Sequence, residues 1–145
     1  MELALEQARV ALARGEPPFG VAILAEDGSV LAAAHDRVQE LGDMSAHAEV
    51  LAIRAACAVA GPDLRGCVLY TTCEPCPMCY TAAWLARVPL LVYGTTMESV
   101  AERTGGAQRE LRVTASTMNQ LHSQPLRLLA GVRAQECLAL FAFKR

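Results

Sequence analysis

Apolar positions along the chain repeat first at helical and then at strand spacing. Leu3, Leu5, Ala8 and Leu12 share one helical face, and Gly15 closes that helix. After Pro17-Pro18, Gly20–Leu24 reads as a short apolar strand, Asp27-Gly28 as a hairpin turn and Ser29–Ala34 as the return strand. Residues 42–45 read as loop, with Ser45 as N-cap of a helix over Ala46–Ala60 that ends at Gly61-Pro62. That segment is apolar nearly all round, as a buried helix is. Cys67–Thr71 is a strand, Pro75 or Cys76 starts a helix reaching about Arg87, Pro89–Tyr93 is a strand and Thr96–Arg103 a helix. Residues 104–125 carry no period, are broken at Gly105-Gly106, and are expected to be loop with a short helical turn. Leu126–Ala130 reads as the last strand and Val132–Phe141 as a C-terminal helix. Strand-helix-strand alternation implies parallel neighbours and right-handed crossovers, beside one antiparallel hairpin. The expected fold class is α/β: a three-layer sandwich with a mixed five-stranded sheet, in a single domain over 1–145.

Composition adds limits to this picture. A chain of 145 residues with 53% hydrophobic and 19% charged positions buries a core of ordinary size and is not a disordered tail. The net charge is -2 and the only lysine is Lys144, so no general positive field awaits a phosphate backbone. No apolar run approaches the ~20 residues of a membrane helix. Glu2 and Glu6 stand where a signal peptide is basic, so no targeting segment is expected and the cytoplasm is the expected location. Of the six cysteines, Cys73, Cys76 and Cys79 fall within seven residues, while Cys57, Cys67 and Cys137 sit in apolar patterns. In a reducing compartment that spacing speaks for metal or redox chemistry over structural bridges.

The chemistry-bearing residues are His47-Ala48-Glu49 and Pro75-Cys76-Pro77-Met78-Cys79. One His and two Cys are ligands of the type a catalytic zinc uses, with a fourth position left for water. Cys76 and Cys79, at i and i+3, point the same way on one helical turn, near an N-terminus that favours thiolates. His47 falls in the first turn of the other helix. Glu49, two positions on, can reach a metal-activated water without being a ligand, take its proton and deliver it to a leaving group. Each half alone has a plainer reading. A lone Cys-x-x-Cys is a redox pair or half of a four-Cys structural zinc, with Cys73 as a further ligand. A lone Glu is a solvated helix residue, although in so apolar a helix a carboxylate needs a partner. Together, H-x-E followed by P-C-x-x-C is the signature of zinc deaminases that act on nucleobases.

On these residues the chain resembles the cytidine-deaminase-like superfamily, most of all the branch of tRNA adenosine deaminases, bacterial guanine deaminases and fungal-type cytosine deaminases. The resemblance runs through Pro18-Phe19-Gly20-Val21, His35-Asp36-Arg37, Ala46 to Glu49, Leu69 to Cys79, Val92-Tyr93-Gly94, Gly131-Val132 and Glu136-Cys137. It implies the cytidine deaminase-like fold, one Zn2+ per chain on His47, Cys76 and Cys79, and Glu49 as proton shuttle. The implied reaction is hydrolytic deamination. Activated water adds to the ring carbon bearing an exocyclic amine, Glu49 carries protons to the ring nitrogen and the amine, and ammonia leaves. The Ala48 N–H would stand beside the reacting centre. Phe19 would lie against the flat base or else in the core. A homodimer with the active site near the interface is the implied assembly.

One departure narrows the substrate. Asp36 stands where the family usually carries Asn, and an ionised Asp only accepts hydrogen bonds. Facing the ring it would favour a substrate N–H or second amine, as on guanine or an aminotriazine; turned away it would pair with Arg37 or another Arg. Thr72-Cys73-Glu74-Pro75 is closer to guanine deaminases, whereas Met118-Asn119 and Ala130-Gly131-Val132 are closer to the tRNA enzymes. Lys144 and Arg145 form only a short basic tail, little for an anticodon loop to hold. The first expectation is therefore a deaminase of a small aminated heterocycle, with nucleic acid and membrane not expected as partners. The second is a tRNA-specific adenosine deaminase, and the third a non-catalytic partner subunit of the same fold. Glu49 speaks against the third, since inactive relatives tend to lose it.

Overall fold

The computed structural model describes residues 1–141; the expected Lys144-Arg145 tail lies outside the described residues. The elements are α1 (Glu2–Ala13), β1 (Gly20–Leu24), β2 (Val30–His35), α2 (Val38–Leu41), α3 (Ala48–Ala60) and β3 (Val68–Cys73). They continue with α4 (Pro77–Leu85), β4 (Leu90–Thr95), α5 (Met97–Thr104), α6 (Ala115–Gln120), β5 (Arg127–Leu129) and α7 (Ala134–Ala139). The five strands form one sheet in the order β2-β1-β3-β4-β5. β1 pairs antiparallel with both β2 and β3, while β3, β4 and β5 run parallel. This is the expected mixed sheet, with the hairpin at one edge and the helical crossovers after it.

Alternation along β1 shows how the layers are assigned. Val21 and Ile23 join the main buried cluster with Ala48, Ala52 and Ala56 of α3 and Tyr80 and Ala83 of α4. Gly20 points the other way, where a side chain would strike Ala4 and Ala8 of α1. With period two along a strand, α1 and α3 therefore cover opposite faces. On the α1 side, Arg133 ahead of α7 bonds Glu2 and forks onto Glu136, tying the last helix to the first.

Several boundaries differ from the expectation for local reasons. Ser45 is not the cap of α3. Its N–H and hydroxyl both bond Asp43 Oδ1, at 2.8 and 2.7 Å, in a tight polar turn, and His47 takes the N-cap position instead. α2 was not foreseen, because four residues carry no period; its first N–H groups are held by two carboxylates, one local and one from elsewhere in the fold. Val38 N bonds Asp36, while Gln39 N and Glu40 N bond the buried Glu16 at 2.9 and 2.6 Å. α6 is the short helical turn expected within 104–125, capped by Thr114, whose hydroxyl accepts from Thr117 N. α7 is shorter than expected at both ends, since Arg133 adopts a left-handed backbone (φ 57°) and Phe141 has left the helix.

The approach of α1 to β1 yields a prediction. A Cβ at Gly20 would stand 2.1 Å from Ala4 O and 2.4 Å from Ala8 N, both backbone atoms that cannot rotate away. Gly20→Ala is expected to destabilise the fold by about 3 kcal/mol, the upper range for forced overpacking. Urea unfolding measures this, and an unchanged midpoint would show that α1 is free to move outward.

Candidate active site and metal centre

The site forms at the carboxyl ends of parallel strands β3 and β4, where ligands of open α/β sheets bind. Two helices begin there. α3 starts with His47 at its N-cap, and α4 with Cys76 at its N-cap and Pro77 in the first turn. Proline suits that turn because its fixed φ is helical and its missing N–H would have had no partner. Cys79 follows one turn on. His47 Nδ1 lies 3.8 Å from Cys76 Sγ and 3.4 Å from Cys79 Sγ, and the three donor atoms all fall within 4.8 Å of one another.

Charge is distributed unevenly in this triangle. Hydrogen bonds from Cys79 and from His47 draw the Cys76 thiol down to about 4, against the opposing effect of burial. The bond to Cys76 raises the His47 imidazole to about 9. Cys79, donating to Cys76 and itself buried, is held above its ordinary value. Glu49 lies one position into α3 from Ala48 and is buried. Burial first, and the Cys76 sulfur second, raise its carboxyl. Thr71 Oγ1 stands 3.0 Å from both Glu49 Oε1 and Cys73 O, so its single hydrogen can serve either.

These donors fit a zinc ion. Two sulfurs and an imidazole nitrogen are zinc ligands by type, three protein donors leave one position open, and one sulfur is already biased towards thiolate. No arginine ion pair among the described residues reaches Asp36 or Glu49, so a bound cation would also offset their buried charge. Cys73 is not part of the group. It is 2% exposed, packs with Met97, Val100 and Phe141, and burial pushes its thiol well up, which removes the four-sulfur alternative.

The remaining expected residues surround this centre. Asp36 does not pair with Arg37, which forks onto Glu40 at 3.0 and 2.7 Å. It is 2% exposed and accepts from Val38 N at 3.1 Å. Burial lifts its carboxyl to about 6, and His47 is near enough to pull the other way. Phe19 is half-buried against Phe141, ring centroids 5.2 Å apart, in contact with the cluster that Cys76 also touches. Its carbonyl accepts from Asp36 N at 3.1 Å, which joins the two residues through the backbone. Ala48 is the first residue of α3, buried between His47 and Glu49.

Three further residues were missed in the sequence. Thr71 gives no signal beyond being polar in a buried strand. Glu74, in Cys-Glu-Pro-Cys, is a buried acid beside a ligand cysteine, a signal that was readable. Glu110 comes from the stretch without period. It lies within electrostatic range of Cys76, His47, Glu49 and Glu74, and burial raises it to about 6.

Comparison with known proteins agrees with this geometry. Residues 1–95 match the model of the cytidine and deoxycytidylate deaminase zinc-binding region. A tRNA-specific adenosine deaminase of Agrobacterium fabrum is 50% identical over 95 residues, 65% of this chain and 62% of that relative, so the match spans about three-fifths of its length. A solved tRNA:A34 deaminase superposes with TM-score 0.79 at 34% identity, covering 97% of this chain and 96% of the other. The guanine deaminase of Nitrosomonas europaea superposes with TM-score 0.80 at 28% identity, covering 97% and 79%. Fold and donor set together define the class of zinc-binding deaminases with a mixed five-stranded sheet. This chain belongs to the cytidine and deoxycytidylate deaminase family.

The donor set predicts that purified protein carries about one zinc per chain. His47→Ala, Cys76→Ser and Cys79→Ser should each lose it, while Cys73→Ser should keep it. Metal analysis of the four variants decides; retention by the first three would move the metal elsewhere.

Proposed function

We propose that this chain is a zinc-dependent hydrolase that deaminates a small, amine-rich heterocycle, a free base or nucleoside of guanine-like or aminotriazine-like pattern, with release of ammonia. The observation that carries the reading is a buried acid, Asp36, set beside a His-Cys-Cys donor triangle that also has Glu49 at hand. His47, Cys76 and Cys79 would hold a zinc ion, which would supply Lewis acidity towards a water. Glu49, with its carboxyl raised by burial, is suited to take up a proton and hand it on. Thr71 holds one of its oxygens. The Ala48 N–H, at a helix N-terminus, is free of an intrahelical partner and can donate to the substrate ring.

Asp36 sets the polarity of the ring that fits. At pH 7, above its value near 6, it is largely ionised and accepts only. A substrate N–H or second amine satisfies it, whereas a bare carbonyl would be repelled. Phe19 offers a flat apolar surface next to Asp36, and Glu110 is a further acid within electrostatic range of His47 and Cys76. The net charge of -2 speaks for a small molecule over an RNA loop. No described helix is long and apolar enough to cross a membrane. The family resemblance is what supports a homodimer as the assembly. A second reading, deamination of a tRNA adenosine, is favoured by the 50% identity of the Agrobacterium fabrum relative that carries that name, against 45% for a guanine deaminase of Bacillus subtilis.

Ammonia release from a panel of amino-heterocycles, run beside an unmodified tRNA, separates the two. Turnover of free amine-rich rings is expected. Adenosine-to-inosine conversion in an anticodon loop, without activity on free heterocycles, would reverse the ranking. Asp36→Asn should shift the preference from amine-rich towards carbonyl-bearing rings by about ten- to a hundredfold, the cost of mispairing a buried group. An equal response on both kinds of ring would remove Asp36 from the pocket.

Glu49→Gln should keep zinc and fold yet lower turnover by about 10²- to 10⁴-fold. Near-normal ammonia release from that variant would assign the proton transfer to another group.

A further inference from the structure

Glu74 is buried between the metal loop and two helix starts. Its own N–H donates to Thr95 O at 2.8 Å, fixing it at the ends of β3 and β4. Its carboxylate then reaches in two directions. Oε2 accepts from Met97 N, the first N–H of α5, at 3.3 Å, and Oε1 accepts from Ala115 N, the first N–H of α6, at 2.9 Å. Each helix already has a threonine cap for a later N–H: Thr96 accepts from Ser99 N and Thr114 from Thr117 N, both at 3.1 Å. One carboxylate thus completes two helix N-termini, where anions are favoured.

Between those helices the chain makes an excursion, residues 105–114, with no helix or strand of its own. This excursion carries Glu110, half-buried and within electrostatic range of Cys76 and His47, and its return point is Ala115, held by Glu74. We propose that Glu74 is a positioning residue: its carboxylate clamps the 105–114 segment to the metal loop, and this closed segment forms the wall that sets substrate affinity and ring selectivity. Glu74 reaches the reaction only through that segment. The effect on substrate rests on the deaminase reading above; the clamp itself does not.

Two measurements on Glu74→Gln and Glu74→Asp keep these parts separate. The first removes the charge and turns one acceptor into a donor facing an N–H. The second keeps the charge and shortens the arm by one methylene, so the clamp remains testable if either variant fails to fold. Arg109 and Arg112 are exposed within the segment and offer trypsin sites. Cleavage after them should speed up by about ten- to a hundredfold, the equivalent of losing a charge-assisted bond, with zinc content unchanged. On the heterocycle that the parent turns over best, KM should rise more than kcat falls, and discrimination between amine-rich and carbonyl-bearing rings should narrow.

Unchanged cleavage would overturn the clamp. Faster cleavage with unaltered KM and selectivity would overturn the segment's role as a wall. Loss of zinc would overturn it too, by placing Glu74's effect on the metal loop. If the parent turns over no heterocycle, the deaminase reading of small rings fails while cleavage still decides the clamp.

Discussion

The site depends on two helices that start at the same place. α3 and α4 lie side by side on one face of the sheet, and each begins with a donor residue at its N-cap, His47 for one and Cys76 for the other. A helix N-terminus presents unpaired N–H groups and a partial positive charge, which favours a thiolate over a thiol. Bringing the two starts together needs a close approach of α3 to the sheet. Ala48, Ala52 and Ala56, fully buried against Val21 and Ile23, make that approach possible because none of them carries more than a methyl group. The same packing that supplies the core therefore sets the spacing of the donors.

Buried acids divide into two kinds by how they are satisfied. Glu16 and Glu74 each accept two backbone N–H groups at helix starts, so their oxygens are occupied by the fold itself. They brace the scaffold: Glu16 holds the start of α2 beside Asp36, and Glu74 the starts of α5 and α6. Glu49 has one hydroxyl, and Asp36 one backbone N–H. Burial raises both of these carboxyls because the environment supplies too little to stabilise the charge. Groups poised in this way are the ones a substrate or a metal can complete. The division separates scaffold from chemistry without appeal to any relative.

Much of the fold was legible because its signals are local. The β1 boundaries were read to the residue, and the later strands and helices other than α2 to within a few positions, since period, glycine and proline act within one element. The donor set was equally legible. His47 to Glu49 and Cys76 to Cys79 are short spacings whose geometry follows from a helical turn. α2 escaped because four residues cannot show a period, and Ser45 was misassigned because Asp43 competes for its N–H and hydroxyl.

The sequence by itself thus determined the layered α/β architecture, the zinc-type donor set and the acid beside it. Tertiary structure decided that Asp36 is buried and bonded to Val38 N, where Cys73 packs, and that Glu74 spans two helix starts beside the donor loop. The physical reason lies in the distance along the chain over which each contact is made. A ligand pair three residues apart is placed by the pitch of one helix. Glu74 and Ala115, separated by 41 positions, meet only because parallel strands and their crossovers carry the chain back to the same end of the sheet.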